Sequence, residues 1–180
     1  RVHLELGGKA PFLVFDDADL DAAANGAVAG ALINSGQDCT AATRAYVQRP
    51  LFDAFVEQVS DLMGTVRLGD PTDPATDQGP LVSMRQRDSV HGYVERAVAA
   101  GARVVCGGGV PGGALSGGSY YPPTLVVDAA QDSEIVQEEL NVKAVVFREN
   151  EEELVEYRLK PNFRVLGKEL GKDMKEAQAR

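Results

Sequence analysis

Short apolar runs of strand length alternate with helix-length amphipathic stretches along most of this chain. That alternation constrains the fold more than any other feature. The runs "VHLEL" (Val2–Leu6) and "PFLVF" (Pro11–Phe15) carry strand signals. "DDADLDAAANGAVAGALINSG" opens on acidic cap candidates, which predicts a helix capped by Asp19 and running to Asn34. "RAYVQ" reads as a strand, and "PLFDAFVEQVSDLMG" sets Phe52, Phe55, Val56, Val59 and Met63 on one helical face. After the loop "LGDPTDPATDQGP", dense in Pro, Asp and Gly, the next stretch predicts a helix, a stop at Gly101 and a strand through Cys106. Such alternation implies an α/β fold with a parallel sheet and flanking helices. The Gly-rich "GGGVPGGALSGGSYYPP" precedes the strand "TLVVD" and lacks the strand–turn–helix setting of a phosphate loop.

The 180 residues suffice for one domain with a sizeable core. A formal charge of −9 argues against nucleic acid or an anionic membrane as a partner of the whole surface. No apolar run approaches the roughly 20 residues of a membrane span, and no signal peptide opens the chain. The chain begins without Met, inside an apparent strand, as a truncated start would. Two cysteines are too few for a disulfide framework, so the expected context is cytoplasmic. Lysine use shifts near residue 139: residues 1–139 hold Lys9 alone, and residues 140–180 hold five. The shift predicts two units, 1–139 and 140–180, the second reading as strand, acidic turn, strand and terminal helix. Local variation within one domain is the alternative.

Cys39 sits in a Gly-Gln-Asp-Cys-Thr turn just after a predicted helix. Backbone N–H groups converging there would favour a thiolate and stabilise an oxyanion. A free cysteine otherwise behaves as a small buried hydrophobe. That description suits Cys106, between Val105 and Gly107, better than Cys39 with its polar neighbours. Upstream, Glu5 lies between Leu4 and Leu6, ahead of two glycines. A desolvated carboxylate there would have a raised pKa suited to general-base work.

Glu5 and Cys39 stand 34 residues apart, and their segments, "LELGGK" and "GQDC", together resemble signatures of the aldehyde dehydrogenase superfamily. The likeness continues through "FDDADLDAA", "TAATRAYVQ", "LGDPTDPATDQGPLVS", "YYPPTLV" and "EIVQEE", over about residues 1–139. "GQDCTAA" is most similar to the aminoaldehyde branch, for instance 4-aminobutyraldehyde dehydrogenases. The resemblance implies Cys39 as the nucleophile on an aldehyde and Glu5 as the base that activates water against the thioester. It implies NAD or NADP as hydride acceptor, with Leu6 beside the nicotinamide and Glu139 at its ribose. The oxyanion would be held by the Cys39 N–H and a side-chain amide. A small-molecule aldehyde is the implied partner, and a homo-oligomer an allowed state. Lys9 is read as structural, His91 is given no role, and no residue is assigned to a metal.

The chain also departs from that family. The family's first half would hold most of the dinucleotide-binding domain, and Leu140-Asn141-Val142-Lys143 stands where Ile/Val-Phe-Gly-Pro is expected. The expectation is therefore an incomplete catalytic domain with a short α/β tail, inactive as an isolated 180-residue chain. From Glu139 onward, "ELNVKAVVF" and "YRLKPNFRVLGKELGK" resemble the C-terminal region of isoleucyl-tRNA synthetases. That resemblance implies a crossover near Glu138–Leu140. It leaves two further options, a noncatalytic tRNA- or protein-binding module and a chimeric product without selected function. Lys160, Arg164, Lys168, Lys172 and Lys175 could meet RNA phosphates, although interleaved acids favour a solvated face. Val142–Phe147 is expected to add to a sheet edge, with the part after Arg148 opening more readily.

Overall fold

A computed structural model describes residues 1–3, 6–138 and, as backbone strand, 144–149. β1 (Pro11–Val14) leads to α1 (Leu20–Leu32), β2 (Arg44–Val47) and α2 (Arg49–Gly64). α3 (Met84–Ala99), β3 (Arg103–Cys106), β4 (Thr124–Val127), the single turn α4 (Glu134–Gln137) and β5 (Ala144–Glu149) follow. The five strands form one sheet in the order β1-β2-β5-β4-β3. All neighbours pair in parallel except β3 and β4, which run antiparallel with a bulge between Val104 and Cys106.

α1 and α3 begin where the sequence supplies a side-chain cap. The Asp19 carboxylate accepts from the Ala22 N–H at 3.1 Å, and Ser83 Oγ accepts from the Gln86 N–H at 3.1 Å. α3 ends in a Schellman arrangement: the Ala102 N–H donates to the Ala97 carbonyl and the Gly101 N–H to that of Val98, both at 3.0 Å. This requires the positive φ of +101° that Gly101 supplies.

Two apolar layers enclose the sheet. On one face, alanines 23, 24, 27 and 31 of α1 and Phe52, Phe55, Val56, Val59 and Met63 of α2 pack with Val14, Ala45 and Val47. The small alanines let α1 approach closely. On the other face, Val90, Val94 and Ala97 of α3 join Leu81, Tyr121, Ile135 and Val136. β4 serves both layers, sending Leu125 and Val127 to the first and Val126 to the second, as a period of two requires. The bulge in β3 breaks that alternation. Val105 and Cys106 both pack against the first layer, whereas Val104 meets the second.

Three expectations need correction. The described residues of the expected strand Val2–Leu6 lie in no strand, and Val2 and Leu6 are exposed. Val2, His3 and Leu6 stand outside the sheet, where β2 is β1's partner, and Gly8 lies over a turn described below. α1 stops at Leu32 rather than Asn34 because Asn34 and Ser35 turn left-handed. β5 lies between β2 and β4, not at an edge. The near-continuous apolar run Ala144–Phe147 suits a strand with neighbours on both sides. Glu5, Glu139 and the tail beyond residue 149 lie outside the described residues.

Candidate active site

The end of α1 shapes the turn that carries Cys39. Asn34 (φ 47°, ψ 39°), Ser35 (φ 61°, ψ 28°) and Gly36 (φ 76°) form a left-handed run. Such a run is free for glycine and tolerable for asparagine; for serine it costs about 1–3 kcal/mol. Specific bonds hold it. Asn34 Nδ2 donates to the Gln37 carbonyl at 3.0 Å, and the Gln37 N–H returns a bond to the Asn34 carbonyl at 3.1 Å. Buried Ser35 donates from Oγ to the Gly79 carbonyl at 3.2 Å. Gln37 Oε1 accepts from the Val82 N–H at 2.9 Å. The 79–82 segment is itself fixed: the Leu81 N–H donates to the Ser119 carbonyl at 2.9 Å, and Ser119 Oγ donates to the Leu81 carbonyl at 2.6 Å.

Cys39 occupies the second position of a β-turn closed by the Ala41 N–H on the Asp38 carbonyl at 3.1 Å. Asp38 Oδ1 accepts from the Thr40 N–H at 2.7 Å and from Thr40 Oγ1 at 2.6 Å. Those two bonds, the hydroxyl's foremost, hold the Asp38 carboxyl below its usual pKa. The ionised cap therefore supports the turn above the ordinary carboxylate range. Its support is lost as pH falls through the lowered value. The expected convergence of N–H groups on the thiol is corrected here, because those of Thr40 and Ala41 are taken by Asp38. The Cys39 N–H has no acceptor among the described residues. Beyond the turn, the Ala42 N–H anchors to the Gly30 carbonyl of α1 at 3.0 Å.

Gly8 brings the two sequence motifs together. A Cβ built on Gly8 would stand 2.7 Å from the Cys39 carbonyl oxygen, closer than real side chains approach. The "LGGK" segment thus lies directly over the cysteine turn, with Leu6 70 % exposed beside it. His91 is a satisfied histidine, its Nδ1 3.2 Å from the Tyr121 hydroxyl. Among the described residues no group of His, Cys, Asp and Glu forms a metal site, and no helix is long and apolar enough to cross a membrane.

The profile described as "Aldehyde dehydrogenase family" matches residues 1–178. The chain belongs to the aldehyde dehydrogenase family. It is 44% identical over 140 residues to a betaine aldehyde dehydrogenase of Sinorhizobium fredii, covering 78% of this chain and 29% of that protein. A betaine aldehyde dehydrogenase of Brucella anthropi is 42% identical over 160 residues, covering 86% and 32%. The chain thus spans about a third of the length of the curated relatives it matches. Among solved structures, Escherichia coli lactaldehyde dehydrogenase is 40% identical with a TM-score of 0.78, covering 84% of this chain and 32% of that one. Staphylococcus aureus betaine aldehyde dehydrogenase in complex with NAD+ is 34% identical with a TM-score of 0.79, covering 84% and 31%. The aldehyde dehydrogenase match runs through residues 140–178, the stretch read from sequence as synthetase-like. Nothing in these matches supports the synthetase relationship.

Within this family segment the two thiols differ sharply. Cys39 is exposed. Cys106 is half-buried with Sγ 3.9 Å from Met63 Sδ, and burial pushes its thiol pKa up. Brief treatment with iodoacetamide should alkylate Cys39 at least about tenfold faster than Cys106. Peptide mapping of the native protein reads the ratio, and equal labelling would contradict the structure. The Ser35 and Gln37 tethers were not anticipated from sequence. The Asp38 cap had a readable signal, since Asp70-Pro71-Thr72 repeats the Asp-x-Thr pattern and forms the same bonds, at 2.8 and 2.7 Å.

Proposed function

We propose that Cys39 is the nucleophile of an NAD(P)-dependent aldehyde oxidation, with Glu5 as the base that completes it. The observation that carries this reading is the close approach of Gly8 to the Cys39 carbonyl. It supports the reading by bringing Gly8, three residues after Glu5 in the sequence, against the turn of the one exposed thiol of the described residues. The Cys39 thiolate adds to the aldehyde carbon, forming a C–S bond and an oxyanion. The Cys39 N–H, which has no acceptor among the described residues, is a backbone donor proposed for that oxyanion. When bound, the nicotinamide cofactor supplies the hydride acceptor that takes the intermediate to a thioester. Exposed Leu6 offers an apolar surface for its ring, which fits such a group, and Glu139 is the proposed ribose ligand. Glu5 then takes a proton from water as the water attacks the thioester, releasing the carboxylic acid and restoring the thiol.

The substrate we propose is a cationic aldehyde of the aminoaldehyde class. Two supports favour it: the betaine aldehyde dehydrogenases among the relatives, and the ionised Asp38 carboxylate next to Cys39. An acyl-transfer reagent tests the nucleophile without any cofactor. With p-nitrophenyl acetate, the acetyl group should pass to Cys39 Sγ as p-nitrophenolate leaves. Mass mapping after brief exposure should find the acetyl group on Cys39. Acetylation confined to lysines would remove the proposal.

A further inference from the structure

We propose that Gln37 is a positioning residue for Cys39, fixing the direction of the Cys39 N–H by tying the nucleophile turn to the start of α3. The proposal rests on the reading of Cys39 as nucleophile. Gln37 lies two residues before Cys39 and bonds in two directions at once. Its Oε1 accepts from the Val82 N–H at 2.9 Å, and Val82 immediately precedes Ser83, the α3 cap. Its Nε2 donates to the Asn34 carbonyl at 3.2 Å. The backbone N–H donates to that same carbonyl at 3.1 Å, while its own carbonyl accepts from Asn34 Nδ2 at 3.0 Å.

These bonds close the left-handed run Asn34–Gly36, whose serine is held in a conformation it does not favour. An unfavourable backbone persists only where its surroundings over-determine it. Ser35 supplies one outside tether through Gly79, and Gln37 supplies the other through Val82. Without the Gln37 amide the run relaxes toward the ordinary helical region, and the chain entering Asp38 and Cys39 rotates. The thiol remains exposed after such a rotation. The N–H beside it changes direction, and only a reaction that forms an oxyanion detects that.

Two reagents therefore separate positioning from folding. Acetylation by p-nitrophenyl acetate passes through an oxyanion, whereas alkylation by iodoacetamide does not. In Gln37→Ala, acetylation of Cys39 should fall about tenfold to a hundredfold, with alkylation of Cys39 within about twofold of wild type. Gln37→Glu retains an acceptor for the Val82 N–H and should recover most of the acetylation rate. Cys106 reports on the fold, and its alkylation should stay slow throughout. If Gln37→Ala opens Cys106, Gln37→Met, of similar size and without the amide, is held to the same criterion. Acetylation and alkylation falling together, or neither falling, overturns the proposal. Absence of Cys39 acetylation in the wild-type protein instead overturns the nucleophile reading, so the two failures are distinct.

Discussion

On the proposed reading, Cys39→Ala should lower esterase turnover of p-nitrophenyl acetate by a factor of about 10³ or more, leaving the melting temperature unchanged. The size follows from the chemistry: without sulfur there is no covalent intermediate, and binding groups alone recover little. The unchanged stability follows from the structure. The Cys39 side chain is exposed and belongs to neither apolar layer. Steady-state release of p-nitrophenolate, measured alongside thermal unfolding, gives both quantities. A variant retaining more than about one-hundredth of the wild-type rate would place the nucleophile elsewhere.

On the same reading, Gly8→Ala should slow hydrolysis of the acetyl thioester on Cys39 about 10²-fold, the scale on which a misplacement of around 1 Å acts. The new methyl carbon would meet a backbone oxygen at 2.7 Å, and neither partner is the end of a flexible side chain. Gly8 must move away from Cys39, and the proposed base Glu5 stands only three residues earlier in the chain, so its proposed assistance to water should weaken. Alkylation of Cys39 by iodoacetamide needs no such assistance and should persist within about threefold of wild type. Comparing the two rates in one preparation isolates the displacement. Equal loss of both, or full retention of the hydrolysis rate, would mean that the approach of Gly8 does not set the reacting geometry.

Much of the scaffold was legible because its signals are local. Asp19 caps α1, the five apolar positions of α2 all face the core, and Gly101 ends α3. Each depends on a few neighbouring residues, which periodicity and cap chemistry record directly. The misread elements depend on distant partners. Val2–Leu6 has the alternation of a strand, yet its described residues, Val2, His3 and Leu6, join no strand, and Gly8 beyond them meets the cysteine turn. The apolar run Ala144–Phe147 was recognised as a strand, but its slot between β2 and β4 is set by segments up to a hundred residues away. The same limit applies to the site. Cys39 and Gly8 were visible as residues, while the Gln37 and Ser35 tethers depend on where 79–82 returns, which no local pattern encodes.

The position of β5 also has a consequence for how the sheet assembles. β1 with β2, and β3 with β4, form two pairs that are complete well before residue 144 is reached. Backbone hydrogen bonding between those pairs passes through β5, the last strand among the described residues. During synthesis each pair must therefore wait with an open inner edge, β2 on one side and β4 on the other. The late central strand raises the contact order through its pairing with β2, where Arg44 meets Val146, whereas β4 pairs with it at short range, Thr124 with Ala144. The loop-closure entropy of the long pairing is met before it forms. Slow closure of this kind lengthens the exposure of edges that can pair with the wrong chain. Rapid vectorial folding is thus limited to the two outer pairs, and the sheet becomes one cooperative unit only when Ala144–Glu149 inserts.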